Sequence, residues 1–215
     1  MEPKAVRIDA LGLAVAGVLV VEAALGLARV YRPLPPLALL GLARLLELGL
    51  LAAVVHAQAG GLGAVGLARK DLAPGLRAGL AWSAAFALVA AAGLTFLHLA
   101  DFPFRNWLDR LPGGVDLVLF YVVGGIVSPA AEEFFFRGLI YTFFRRWGVA
   151  AALLVSTAAF VASHWPRVSI PVTQIVGGVV FALAYERHGR LLAPVTIHVL
   201  GNLALFSLAW FLQPT

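Results

Sequence analysis

Residues 128–146 read SPAAEEFFFRGLIYTFFRR. The stretch sets two adjacent acids, Glu132 and Glu133, and one base, Arg137, inside an otherwise apolar run. Ionisable side chains at membrane depth are costly, so their default reading is functional and inward-facing. A structural salt bridge is the competing reading. Glu133 and Arg137 have the i,i+4 spacing at which side chains meet on a helix. That pairing accounts for one acid and the base. It leaves Glu132, about 100° further round the helix, without a local partner.

Composition makes this a membrane run. The chain has 215 residues, 61% hydrophobic and 13% charged, with a mean hydropathy of +0.93. A soluble domain is about a quarter charged. The expected fold is an all-α polytopic transmembrane bundle of about seven, at most eight, spans at roughly 20 residues each, with no sizeable soluble domain. The net charge of +5 does not point to nucleic acid. Lys and Arg fall singly or in pairs at span ends, as cytoplasmic loops require, and no basic cluster interleaves with aromatics to grip a backbone. The absence of cysteine excludes disulfides, thiolate catalysis and Cys-ligated metal.

Working outward, the first span is expected near 8–30. It follows a basic start and continues past Glu22, as a retained span does rather than a cleaved signal. The turn YRPLPP then ends the helix, because proline cannot continue it. The second span, near 37–59, carries Arg44 and Glu47 at a spacing that pairs them on one face. Residues 61–77 read as an amphipathic surface segment, and 78–99 as the third span. An interfacial connection follows, with Trp107 at headgroup level. The fourth span runs from about 115 to 146, about 48 Å if straight, which exceeds a bilayer core and predicts a kink or break near Pro129. Further spans are expected at 149–165, 171–185 and 191–211. Two regions follow: 1–110, N-terminal spans plus the surface segment, and 111–215, a transmembrane core carrying the chemistry.

The positive-inside rule orients the chain. With the N-terminus inside, the inner segments hold Lys4, Arg7, Arg69, Lys70, Arg77, Arg145, Arg146, Arg187 and Arg190. The outer ones hold only Arg29, Arg32, Arg105, Arg110 and Arg167. The N-terminus is therefore expected in the cytoplasm and, with seven spans, the C-terminus outside.

His164 ends its span in AFVASHW, and His198 and Asn202 share a helix face in TIHVLGN. Helical rise puts Glu132, Glu133 and His164 roughly 22 to 24 Å from the turn at Gly148. It puts His198 and Asn202 roughly 15 to 20 Å from the turn at Gly189. These side chains are therefore expected near one level. A carboxylate beside an imidazole can hold a water and take its proton, and a second imidazole with an amide can donate to an oxyanion. That inventory suits addition of water to a peptide carbonyl. Two His and two Glu could instead ligate zinc or iron, although no HExxH is present. Ser128, Ser156 and Ser163 lie outside any GxSxG, which argues against serine catalysis.

EEFFFR (132–137) followed by GLIY resembles the EExxxR motif of the CAAX protease and bacteriocin-processing (CPBP, or Abi) membrane proteins. Phe160 with His164 is similar to their FxxxH motif, and His198 with Asn202 to their HxxxN motif. The resemblance spans roughly 115–205. It implies a glutamic-type intramembrane endopeptidase related to the type II CAAX prenyl endopeptidases, in the plasma (inner) membrane of a prokaryote. It also implies that Glu132 and His164 share a catalytic water, that His198 and Asn202 stabilise the oxyanion, and that Glu133, Arg137 and Phe160 support the site. The expected substrate is a membrane-associated peptide or protein, lipidated or not, in contact with membrane lipids. No cofactor is expected on this reading, with zinc or iron left open by the residues. The alternatives are a non-enzymatic immunity or scaffold protein, a metal-dependent membrane protease and a proton-coupled transporter. Polar residues gathered at one level, rather than along a path, disfavour the transporter.

Overall fold

The computed structural model describes residues 6–31, 35–101, 116–164 and 171–212. Trp107, Trp165, Pro166 and the loop arginines Arg32, Arg105, Arg110 and Arg167 lie outside the described residues. Among those described the chain forms seven helices and no strand. They are α1 (Ile8–Tyr31), α2 (Pro36–His56), α3 (Arg69–Leu99), α4 (Leu117–Trp147), α5 (Val149–Ser163), α6 (Val172–His188) and α7 (Leu192–Leu212). A 3-10 turn, Gly61–Val65, precedes α3. Five helices are long and apolar enough to cross a membrane. Their outer faces expose large apolar side chains such as Leu13, Leu19, Leu88, Phe96, Val118 and Phe211, a surface that lipid covers and water does not tolerate. The protein is an integral membrane helical bundle.

Local sequence explains the boundaries. Pro36 opens α2, where its missing N–H costs no helical bond. Asp116 caps α4 by accepting the Leu119 N–H at 3.0 Å. Gly148 adopts φ +103°, which lets α4 turn directly into α5. Gly189 adopts φ +61° and closes α6 in the left-handed conformation.

The ends of the helices fix an alternating up-and-down bundle. At one end, the Arg7 N–H donates to Gln58 Oε1 at 3.0 Å. The Tyr185 hydroxyl donates to the Val65 carbonyl at 3.2 Å. There too Arg145 pairs with Glu186 at 2.9 Å, and Arg146 reaches the Val6 carbonyl. At the other end, the Phe120 ring lies 4.5 Å from that of Phe206, and the Tyr121 hydroxyl 3.2 Å from Ser207 Oγ.

Two expectations change in form. The expected surface segment at 61–77 is split: its second half, from Arg69, is already α3, which passes through Pro74 without stopping. Proline near a helix start forfeits few bonds, so it is tolerated there. Around Pro129 the helix does not break. From Val123 to Val127, just before it, the backbone widens into π-helical turns, and again from Phe134 to Tyr141. Such bulges absorb a disturbed bond ladder and favour functional sites.

Small residues set how closely the helices approach. A Cβ built on Gly79 of α3 would stand 2.5 Å from Thr196 Cβ of α7. One on Gly125 would stand 2.6 Å from Leu203 of α7, and one on Gly178 of α6 2.8 Å from Thr157 of α5. The small-residue faces at Gly124-Gly125 and Gly177-Gly178 thus have packing partners within the chain. Arg44 of α2 pairs with Glu47 as the spacing predicts, and also bridges to Glu22 of α1 at 3.1 Å.

Candidate active site

The second π-helical segment of α4 follows the two acids directly. Helical rotation turns Glu133 inward, where it and Arg137 have no solvent exposure. The Arg137 guanidinium donates through Nη1 to Glu133 Oε1 at 2.8 Å. Its Nη2 donates to the Gly178 carbonyl of α6 at 3.1 Å. The guanidinium carbon also lies 4.8 Å from the Phe160 ring centre and 5.2 Å from that of Phe181. A buried cation is thus met by a carboxylate, a carbonyl and two aromatic faces, which together offset its lost hydration.

His198 of α7 reaches the same carboxylate. Its Nδ1 lies 2.8 Å from Glu133 Oε1, and its ring stacks on Phe181 at 4.5 Å and 20°. Its Nε2 then faces Glu132, 3.9 Å from Oε2. Glu132 is the less buried of the two acids, with 16% of its side chain exposed against none for Glu133. Glu133 Oε2 is buried without a hydrogen-bond partner.

Asn202 sits one turn beyond His198 on the same face, and its amide donates to the Gly124 carbonyl of α4 at 3.0 Å. His164 terminates α5, with Nδ1 2.8 Å from the Phe160 carbonyl and 3.2 Å from Ser163 Oγ. Its ring is 4.7 Å from that of Phe160, which in turn meets His198 edge-on at 5.7 Å. α5 is only 15 residues long, about 22 Å, so its end falls short of a full bilayer crossing.

The structure therefore gathers Glu132, Glu133, Arg137, Phe160 and His198 into one network, with His164 one ring away. Among the described residues no hydrogen bond or ion pair joins Glu132 to His164. Sequence reading missed Phe181, the Gly178 carbonyl and Phe136, whose ring meets that of Phe160 edge-on at 5.3 Å. Phe181 follows Gly178 at i+3, so both face α4, but nothing in that apolar run separates them from lipid-facing neighbours. No group of three or more His, Cys, Asp or Glu side chains among the described residues is disposed to hold a metal ion. Glu133 would have to release both Arg137 and His198 to offer Oε1 to one.

A buried acid with a half-buried one beside it, a charge-compensating arginine and an imidazole inside a helical bundle define a membrane protein with an ionisable site at its core. Residues 114–204 match the family model described as type II CAAX prenyl endopeptidase Rce1-like. Over those residues the chain is similar to the CPBP/Abi-type CAAX proteases. The match covers α4 to most of α7 and all three motifs. No curated protein and no solved structure matches the chain.

Proposed function

We propose that the protein is a glutamic-type intramembrane endopeptidase in which Glu132 is the general base. The observation that carries the reading is the 3.9 Å gap between Glu132 Oε2 and His198 Nε2. A water seated beside that gap, about 2.8 Å from each atom, hydrogen-bonds to both. In the proposed step Glu132 takes a proton from that water as its oxygen attacks the scissile carbonyl carbon. The C–N bond then breaks, and the proton passes from Glu132 to the departing amine nitrogen. His198, as an imidazolium that donates Nδ1–H to Glu133 and keeps Nε2–H free, and Asn202 hydrogen-bond the oxyanion that develops; an amide has a second N–H beyond the one donated to Gly124. His164, its Nδ1 engaged by its own helix, offers Nε2 as a further contact to the water. Glu133 and Arg137 do no chemistry in this scheme and hold the His198 ring.

The substrate is proposed to be a peptide or protein already in the membrane, because the site lies among apolar helices and would meet a soluble chain rarely. The test is cleavage of a panel of lipidated and unlipidated membrane-anchored peptides by reconstituted protein and its Glu132→Gln variant. Loss of cleavage with an unchanged melting profile is expected. Undiminished turnover by Glu132→Gln would overturn the assignment. A phenotype that survives loss of Glu132, His164, His198 and Asn202 together would favour a non-enzymatic immunity or scaffold role.

A further inference from the structure

Away from the acid pair, α3 and α6 leave an open groove of about 570 Å³ between them. Its wall is apolar, formed by Ala78, Ala81 and Trp82 of α3 and Leu183 of α6. Its rim is polar, formed by Glu186, Arg187 and His188 at the end of α6. The Trp82 indole N–H donates to His188 Nε2 at 3.1 Å, which fixes the indole across the groove.

The charges at this end are unbalanced. Both nearby acids are occupied: Asp71 by Arg190 at 3.6 Å, and Glu186 by Arg145 and the Tyr141 hydroxyl, each at 2.9 Å. Arg187 on the rim is exposed and, among the described residues, has no ion-pair or hydrogen-bond partner. Arg77 is likewise exposed and, among the described residues, unpartnered, immediately before Ala78 and one turn before Ala81. A groove with an apolar wall, Arg187 on its rim and the exposed Arg77 one turn before its wall residue Ala81, in a helical membrane protein, matches one kind of molecule. An acyl chain fits the wall, and an anionic headgroup fits the mouth.

We propose that this groove is a binding site for an anionic phospholipid of the surrounding leaflet, with its phosphate between Arg77 and Arg187 and an acyl chain against Trp82 and Leu183. The site is separate from the acid pair. Trp82 also packs on the cluster that contains Phe160 and Phe181, so an occupant would brace the wall behind His198.

The test uses the full chain with Trp82 as its sole tryptophan, Trp107, Trp147, Trp165 and Trp210 being replaced by phenylalanine. Reconstituted in phosphatidylcholine vesicles, it is titrated with phosphatidylglycerol or phosphatidylcholine carrying brominated acyl chains. The expected result is preferential quenching by the anionic lipid, with a preference of about fivefold for each arginine. Arg77→Gln with Arg187→Gln should abolish it. Equal quenching by both lipids would overturn the proposal, as would a preference that persists in the double variant. Relief of quenching by excess inorganic phosphate would assign the mouth to a free anion, and relief by a soluble acidic peptide to a protein partner. Either would overturn the lipid assignment. Native mass spectrometry of the wild-type chain supplies a second readout that needs no tryptophan replacement. Retained phosphatidylglycerol is expected, lost in the double arginine variant, and its absence from the wild-type chain counts against the site.

Discussion

Glu133 and His198 stand 65 positions apart in sequence and meet through a 2.8 Å hydrogen bond in the buried centre of the bundle. Arg137 holds the same Glu133 oxygen from the other side, also at 2.8 Å. One carboxylate oxygen thus ties together α4 and α7, and through the Arg137 bond to the Gly178 carbonyl it reaches α6. The stability of the core and the orientation of His198 therefore depend on one ion pair.

Removing the cation should cost the most. Arg137→Met leaves Glu133 charged, unexposed and uncompensated, and breaking a buried pair from one side costs about 3–5 kcal/mol. The expected outcome is a large fall in the melting temperature of the detergent-solubilised protein. A double variant, Arg137→Met with Glu133→Leu, should recover most of it, because both charges leave together. Thermal unfolding of the single and double variants checks this.

The two glutamates should separate by assay. Glu132→Gln is expected to lower cleavage by roughly 10²–10⁴-fold, the usual worth of a general base, with little change in stability at a partly exposed position. Glu133→Gln should lower stability as well, because the bonds to Arg137 and His198 lose their charge assistance. Parallel measurement of turnover and melting temperature for both variants distinguishes the roles.

Phe181 is expected to matter through the two side chains its ring faces, His198 and Arg137. Phe181→Leu removes the ring stacked on the imidazole, and such a pair contributes about 0.5–1.5 kcal/mol beyond its buried area. The expected result is a drop in kcat with KM nearly unchanged, since the substitution loosens a positioning contact. A KM effect at constant kcat would place Phe181 on the substrate instead.

Close approach of α3 and α7 depends on Gly79. Gly79→Val would press a branched side chain into Thr196 and the Ala193 carbonyl, which a Cβ alone already approaches at 2.5 and 2.8 Å. Overpacking of this kind costs about 1–3 kcal/mol. Gly12→Val on α1, where a Cβ meets nothing within 4 Å, is the control and should be neutral. Melting temperatures of the two variants measure the contrast.

The bundle end that gathers Val6, Gln58, Val65 and Arg146 is proposed to be cytoplasmic, on the bias of Lys and Arg in alternate loops. The chain lacks cysteine, so single cysteines report cleanly. A cysteine at Gln58 should be shielded from an impermeant maleimide in intact cells, and one at Tyr31 labelled. The reverse pattern would invert the topology.

Much of this was legible in the residues themselves. Hydropathy over runs of about 20 residues set the membrane class and the seven helices. Residue spacing gave the Glu133–Arg137 and Arg44–Glu47 pairs, because neighbours on one helix are fixed by its period. The boundaries shifted where local rules compete: Pro74 lies close enough to a helix start to be tolerated, and Pro129 follows π-helical turns instead of a break.

What the sequence by itself determined is the inventory and its depth: an acid pair, an arginine, two histidines and an asparagine on helices whose rise brings them near one level. Tertiary structure alone decided the pairing. His198 engages Glu133 through Nδ1 and turns Nε2 toward Glu132, while His164 bonds its own helix and Asn202 donates to Gly124. The reason is physical. A helix fixes which of its own side chains are neighbours, but contacts between helices depend on their relative rotation and register. Close approaches set those here, at Gly79 on Thr196, Gly125 on Leu203 and Gly178 on Thr157, where the absence of a side chain carries no signal in hydropathy.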